Sequence, residues 1–137
     1  MITVELDNFS LKEICQSGQC FRMYETAENT YELIAGDKYL KMTQEGSIVN
    51  FYCSDMEFIC YWVPYFDIDA DYSSYIAKIN HRDTYLVEAA ECGSGIRILQ
   101  QDLWEMIITF LISQQNNISR IRGCVERLCE AYGEKKT

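Results

Sequence analysis

Residues 95 to 127 read GIRILQQDLWEMIITFLISQQNNISRIRGCVER and contain two apolar helical patterns joined by a short polar run. The first pattern follows Asp102, which has Glu105 three positions later, the spacing of a helix N-cap. The second pattern begins near Asn117. We therefore predict two helices with apolar faces and a fixed turn between them. The remainder of the chain is interpreted as the support for that turn.

The polar run between the two helices is Ser113-Gln114-Gln115-Asn116-Asn117. An unpaired buried amide costs about 1–3 kcal/mol, so we expect this run to lie at the surface. The amides at the N-terminus of the second helix, together with Arg120, suit a phosphate or a base edge. The side chains that could enter a DNA duplex at such a turn are Gln115, Asn116 and Asn117.

The first 53 residues contain several short runs of alternating apolar and polar positions, which is typical of antiparallel strands. Gly36-Asp37 lies between two of these runs and predicts a two-residue type II′ hairpin turn. Ser10 and Glu13 form a capping box, which predicts a short helix directly after Ser10. A strand is expected over residues 20–24. Together these patterns predict an antiparallel meander with one inserted helix.

Helical patterns dominate the chain after the strands. Asp55 is placed to cap a helix that we expect Pro64 to end. An acidic connector, residues 65–71, follows. Two further helices are predicted over residues 72–79 and 84–91, and their apolar faces have few elements to cover them.

These elements predict an α+β fold in two parts. An antiparallel sheet domain with an inserted helix is expected over residues 1–64. The start of a truncated helical domain is expected over residues 65–137. Its helix faces have few elements to cover them, which indicates a fragment of a longer protein or a domain that docks on one.

The composition favours a globular protein, with 48% hydrophobic and 24% charged residues in a chain of 137. No apolar run approaches the roughly 18 residues that span a bilayer. Residues 1–5 lack the basic start of a signal peptide, so a cytoplasmic location is expected. The net charge of −9 argues against a chain that binds nucleic acid by bulk electrostatics.

Metal and redox chemistry find little support in the sequence. There are 7 cysteines without a CxxC pair, and His81 is the only histidine. We therefore expect reduced, mostly buried thiols, no zinc site and no cofactor. Asp67, Asp69 and Asp71 are interpreted as a solvated connector rather than a catalytic pair of carboxylates. On its residues alone, the chain is an α+β domain with a polar, slightly basic turn.

Several motifs, taken in order, resemble those of the 8-oxoguanine DNA glycosylases. The run SGQCFR at residues 17–22 resembles the SGQ-x-FR motif of that family. The runs GIRILQQD at 95–102 and SQQNNISRI at 113–121 are similar to the family's GxRLLxQD and NNNIxRI. Similarity continues in YFDID at 65–69 and VERLC at 125–129.

The resemblance implies an N-terminal part of a bifunctional glycosylase and AP lyase that removes 8-oxoguanine opposite cytosine in base excision repair. Such enzymes flip the damaged base out of double-stranded DNA. It also implies a twisted antiparallel sheet like that of the TATA-binding protein, followed by a helical domain. The location would be cytoplasmic, or nucleoid-associated in a prokaryote.

Site residues are implied in the same way. A main-chain carbonyl in the SGQ motif reads the N7–H that only the oxidised base carries, and here that residue is Gly18. An Asn of the NNN run fills the space left by the flipped base, a position held here by Gln115. The family's cytosine-reading arginine matches Arg120. Its catalytic Lys and Asp match nothing up to residue 137, so we expect this chain to lack catalysis by itself.

Two alternatives remain. The chain could be a non-catalytic module that binds nucleic acid or protein, or part of an alkylation-damage glycosylase of the same superfamily. The SGQ-x-FR motif disfavours the second alternative.

Overall fold

The structure, a computed structural model, describes residues 1–135. Residues 136 and 137, the last two of the predicted helical domain, lie outside the described residues. Five antiparallel strands form one sheet with the order β1-β5-β4-β3-β2. The strands are β1 (Ile2–Glu5), β2 (Met23–Ala27), β3 (Thr30–Ala35), β4 (Lys38–Glu45) and β5 (Ile48–Phe51). The predicted α+β class with an antiparallel sheet is confirmed.

Helices lie in the β1–β2 connection and, joined by non-helical segments, along the chain after β5. They are α1 (Leu11–Gln16), α2 (Asp55–Glu57), a π-helical turn (Phe58–Trp62), α3 (Val63–Tyr65), α4 (Tyr72–Ala77), α5 (Thr84–Cys92), α6 (Leu103–Ser113) and α7 (Ile118–Tyr132). Within residues 1–135, every helix is too short or too polar to cross a bilayer.

The meander prediction is confirmed for β2 to β5, each of which pairs with the next. The hairpin turn between β3 and β4 is Gly36-Asp37, with Gly36 at φ +55°. β1 returns to pair with β5, from Ile2 opposite Phe51 to Glu5 opposite Ile48. The predicted helix after Ser10 is also present as α1. Ser10 caps it, since its hydroxyl accepts the Glu13 N–H.

The strand predicted over residues 20–24 is wrong in its first half, since β2 begins at Met23. Cys20 and Phe21 are both buried, although neighbouring strand residues point to opposite faces. Cys20 joins the main core, whereas Phe21 joins a second cluster with α7. Tertiary packing on two sides therefore overrides the strand propensity of this segment.

The helix after β5 differs from the prediction at both ends. Its cap is Ser54, whose hydroxyl accepts the Glu57 N–H at 3.2 Å, rather than Asp55. Pro64 does not end it, since helical structure continues to Tyr65. The preceding π-helical turn puts Pro64 in the first turn of α3, where the missing N–H is not needed.

The main core lies between one face of the sheet, α1 and the helical run from α2 to α3. Aromatic rings dominate it, and the rings of Phe9, Phe51 and Phe66 meet edge to face with centroids 5.7–6.5 Å apart. Burial of each such ring contributes about 1.5–3 kcal/mol. A second, smaller cluster joins Phe21 to Ile121 and Val125 of α7.

Much of the helical region remains exposed. The α6 apolar surface is defined here as Leu103, Trp104, Met106, Ile107, Phe110 and Leu111, which are 43–70% exposed. All 7 cysteines are free, but the expectation that most are buried is wrong. Cys15 and Cys20 are buried, while Cys60 and Cys92 lie on open helix faces.

Candidate nucleic-acid interface

The SGQ loop, residues 17–22, leaves the C-terminus of α1 with a sharp change of direction at Gly18. Gly18 has φ +75°, a conformation that residues with a side chain rarely adopt. A Cβ at this position would lie 3.8 Å from Ile118 Cδ1, an ordinary contact. The positive φ, rather than a lack of space, therefore requires glycine. At Gly18 the loop lies beside Ile118, the first residue of α7.

Gln19 fixes this loop through its amide. Its Nε2 donates to the Arg97 carbonyl at 2.8 Å, and its Oε1 accepts the Leu99 N–H at 3.0 Å. In return, Gln101 Nε2 donates to the Gln19 carbonyl at 2.7 Å. We name these three hydrogen bonds the Gln19 clasp. It joins the SGQ loop to the extended segment that precedes α6, so Gly18 sits on a fixed base.

The side chain of Arg97 anchors the same extended segment. It is 4% exposed, and it donates to the carbonyl oxygens of Asp7, Asn8, Asp67 and Ala70 at 2.8–3.2 Å. Burial lowers the pKa of its guanidinium, and these four acceptors offset the lost hydration. Arg97 therefore has a structural role. The only indication of this in the sequence is its position as a single arginine within the apolar run GIRIL.

Gly95 brings the segment onto α1. It has φ +84°, and a Cβ there would lie 2.6 Å from Ser10 Cβ, closer than real atoms approach. The Gly95 carbonyl accepts the Ser10 N–H at 2.8 Å. Any larger residue would push this segment, and the Gln19 clasp with it, away from the helix.

Two of the predicted DNA-contacting amides are used within the turn itself. Asn116 Nδ2 donates to the Ile112 carbonyl at 3.1 Å, and its Oδ1 accepts the Asn117 N–H at 3.0 Å. Asn117 caps α7, because its Oδ1 accepts the Arg120 N–H at 3.0 Å. These contacts shape the turn and leave less of either side chain for a partner.

The other two predicted residues, Gln115 and Arg120, are exposed. Among residues 1–135, neither side chain has a hydrogen-bond partner, whereas Asn116 and Asn117 both do. Gln115 lies in the turn between α6 and α7 and has φ +50°, a left-handed conformation. The geometry thus separates Gln115 and Arg120, which are available to a ligand, from the two asparagines that support them.

The structure brings the two distant motifs to one end of α7. Gly18 lies beside Ile118, which follows the capping Asn117 and precedes the exposed Arg120 by two positions. Across residues 1–135, no group of three or more His, Cys, Asp or Glu side chains could hold a metal ion. The available chemistry at this end is a backbone loop, an amide and a guanidinium, all suited to a polar partner.

A model of the family described as 8-oxoguanine DNA glycosylase, N-terminal domain, matches residues 1–107, most of the chain. The match includes Gly18 and the whole of the Gln19 clasp. This chain belongs to the 8-oxoguanine DNA glycosylase family. The resemblance in the SGQ-x-FR and GxRLLxQD motifs is thereby confirmed, and the alternative of an unrelated binding module is not favoured.

Solved members of the 8-oxoguanine glycosylase family share the fold closely. MBOgg1 in complex with a low-affinity DNA ligand superposes with a TM-score of 0.92 at 34% identity, covering 98% of this chain and 47% of that one. The apo 8-oxoguanine glycosylase/lyase of Clostridium acetobutylicum gives a TM-score of 0.89 at 35% identity, covering 97% and 47%. The Clostridium enzyme with double-stranded DNA containing cytosine opposite 8-oxoguanine gives 0.90 at 36%, covering 96% and 45%.

A curated relative of this 8-oxoguanine glycosylase chain is the N-glycosylase/DNA lyase of Saccharomyces cerevisiae. It is 27% identical over 146 residues, which cover 96% of this chain and 39% of the yeast protein. The chain therefore spans less than half the length of each of these relatives. The DNA-contacting roles of Gly18, Gln115, Asn116, Asn117 and Arg120 stay predictions, which the geometry refines.

Proposed function

We propose that this chain is the N-terminal part of a DNA glycosylase and AP lyase that excises 8-oxoguanine opposite cytosine from double-stranded DNA. The observation that carries the proposal is the family match over residues 1–107. The likeness to a Clostridium enzyme bound to DNA with cytosine opposite 8-oxoguanine supports the substrate class. Such a protein acts in base excision repair in the cytoplasm, or on the nucleoid of a prokaryote.

Gly18 is proposed to recognise the lesion through its carbonyl oxygen. Guanine N7 is a hydrogen-bond acceptor, and a fixed carbonyl would repel it. Oxidation at C8 puts a proton on N7, which the same carbonyl can accept. The positive φ of Gly18 and the Gln19 clasp support this role, because they hold the backbone in one orientation.

Gln115 and Arg120 are proposed to handle the opposite strand. Gln115, exposed in the turn between α6 and α7, takes the space that the flipped base leaves in the duplex. Relative to the family's asparagine, glutamine keeps the amide and adds one methylene, so the reach changes. Arg120 offers a planar set of donors that suits the acceptor edge of cytosine.

The catalytic step is proposed to depend on residues outside this chain. No lysine here matches the family's nucleophile, which forms a Schiff base with the sugar. The α6 apolar surface suits the remaining helices of a longer glycosylase domain, because contiguous exposed apolar surface usually marks a contact site. A net charge of −9 agrees with phosphate-binding residues lying elsewhere.

We also propose that the sheet domain (1–64) and the helical domain (65–137) differ in the elements that compose them but do not move as separate bodies. Arg97 and the Gln19 clasp both cross the boundary between them, because their side-chain donors bond to backbone carbonyls 78–90 positions away in the chain.

The test of the proposed function is excision by the intact protein of the gene that encodes this chain. Duplexes carrying 8-oxoguanine opposite cytosine should be cleaved, and borohydride should trap a covalent complex with the DNA. Undamaged duplex of the same sequence is the control. Failure of the intact protein to excise 8-oxoguanine would refute the proposal, and preferential release of 3-methyladenine would favour the alkylation-damage alternative.

Replacement of Arg120 by alanine should reduce the preference for cytosine opposite the lesion. Loss of one good bidentate contact costs about 1–3 kcal/mol, or roughly 5- to 150-fold in discrimination. The measurement compares excision of 8-oxoguanine opposite each of the four bases. Arg127→Ala is the matched control, because Arg127 is also exposed on α7 and its removal changes the charge equally. Unchanged discrimination in Arg120→Ala would assign cytosine recognition elsewhere.

A further inference from the structure

One face of α7 lies along the segment that contains the SGQ loop. Ile118 lies beside Gly18, Arg122 donates to the Cys15 carbonyl in the last turn of α1, and Glu126 accepts a hydrogen bond from Tyr24 of β2. These three α7 residues are four positions apart, so they share one helix face. Contacts at three successive turns fix the direction of the helix as well as its position.

Arg122 makes the central contact of the three. Its Nη2 donates to the Cys15 carbonyl at 3.0 Å. Cys15 lies in the last turn of α1, where carbonyl groups lack partners within the helix and a positive charge is favourable. The guanidinium also lies 5.4 Å from the centroid of the Tyr24 ring. Arg122 Nε is buried without a hydrogen-bond partner in residues 1–135, so Nη2 and the ring hold the group.

Tyr24 connects Arg122 to Glu126. Its hydroxyl donates to Glu126 Oε1 at 3.0 Å, while its ring faces the guanidinium. Burial, together with the Glu126 carboxylate, raises the pKa of Tyr24 to about 12. The phenol therefore stays protonated at neutral pH and keeps donating to the carboxylate. We name Cys15, Tyr24, Arg122 and Glu126 the α7 clamp.

The clamp ties together the two parts of the proposed DNA site. Gly18 follows α1 by two residues, whereas Gln115 and Arg120 lie at the start of α7. Apolar contacts of Ile121 and Val125 with Phe21 hold the helix to the loop but fix no direction. Arg122 adds a directional contact close to the point where both parts meet.

We propose that Arg122 is a positioning residue that sets the distance between the lesion-recognising loop and the turn that contacts the opposite strand. The inference rests on the proposed function, since it assigns these two surfaces to the two strands. A displacement of about 1 Å at a reacting site can cost on the order of 100-fold in rate. A small change in the tilt of α7 would therefore move Arg120 relative to Gly18, so that lesion recognition and cytosine recognition no longer occur together.

The experiment uses the intact protein with Arg122→Met, Arg122→Lys and Tyr24→Phe. Single-turnover excision of 8-oxoguanine is measured opposite cytosine and opposite adenine, and thermal unfolding is recorded for each variant. Arg122→Met should lower the cytosine-to-adenine ratio about tenfold, within the range for small displacements. Arg122→Lys, which keeps a donor for the Cys15 carbonyl, should recover most of the ratio. Arg127→Met, which removes an exposed arginine of α7, should leave it unchanged.

A merely structural Arg122 gives a different pattern. If Arg122→Met lowers both excision rates by the same factor, or lowers only the unfolding temperature, the proposal is wrong. If Arg122→Met does not fold, Tyr24→Phe decides, because it removes the bond to Glu126 and keeps the ring. The ratio should then fall about twofold or more, and an unchanged ratio would overturn the proposal. A wild-type protein that fails to excise 8-oxoguanine refutes the proposed function itself, before any variant is compared.

Discussion

Gln115 shows how a single exposed residue of a site can carry backbone strain. Its φ of +50° lies in the left-handed region, which costs an ordinary residue about 1–2 kcal/mol. Asparagine tolerates this region better, because its short side chain can bond locally. The neighbouring asparagines hold the turn in shape through Ile112 and Arg120, so the strain at Gln115 persists.

We expect Gln115→Asn to increase the free energy of unfolding by about 0.5 kcal/mol, since it relieves part of the left-handed strain. Urea denaturation of the chain measures the change. Gln114→Asn is the control, because Gln114 has φ −61° and has no such strain to relieve. An equal gain at both positions would show that the backbone conformation of Gln115 is not the cause.

Helix caps show what the sequence can predict at the scale of elements. Ser10 and Asp102 accept the N–H three residues ahead, as their spacing indicated, and Asn117, near which the second helix was predicted to begin, does the same. Each cap depends on residues within four positions, so local chemistry suffices. The helical run from α2 to α3 was predicted less well. Its π-helical turn depends on the packing of Phe58 and Trp62 in the core, which no local pattern reveals.

Asn117→Ala should lower the free energy of unfolding by about 1 kcal/mol, the usual effect of losing an N-cap. Asn117→Asp keeps an acceptor for the Arg120 N–H and should retain the stability of the wild type. Guanidinium denaturation of both variants provides the comparison. Similar losses in the two would show that the capping bond contributes little to α7.

At the scale of the whole molecule, long-range contacts of polar side chains hold the helical region to the sheet. Arg97 and Gln19 bond to carbonyl and amide groups up to 90 positions away. The sequence indicated the sheet, the helices and the exposed polar turn, but it could not indicate these partners. Nor could it show that, within residues 1–135, the side chains of Asn116 and Asn117 bond locally whereas those of Gln115 and Arg120 have no hydrogen-bond partner, because the sequence indicates all four simply as exposed polar residues.

Arg97→Met should lower the free energy of unfolding by about 3 kcal/mol, because it leaves four partly buried carbonyl groups without their donor. Arg97→Lys should lose nearly as much, since one ammonium group cannot span the same acceptors. Equilibrium unfolding in urea measures both. Arg82→Met, at an exposed position, should change stability by less than about 0.5 kcal/mol. A small effect at Arg97 would contradict its role as an anchor.

The α6 apolar surface should cause this chain, expressed by itself, to self-associate. Trp104 is 70% exposed and Phe110 is 65% exposed, and exposed neighbours extend the patch. Sedimentation velocity over a range of concentrations should show association, and the pair Trp104→Lys and Phe110→Lys should abolish it. Tyr85→Lys is the control, because Tyr85 is 84% exposed on α5 rather than on α6. Association that persists in the double variant would assign it to another surface.

The Gln19 clasp also determines when the SGQ loop can form during synthesis. The strands β1 to β5 are complete once residue 51 has been made, but the partners of Gln19 extend to Gln101. At roughly 5–20 residues per second, the ribosome needs some seconds to add that stretch. Over this interval the sheet can pair while the loop around Gly18 still lacks its fixed base. The part of the chain proposed to recognise damage is therefore among the last parts of the sheet domain to acquire its final shape.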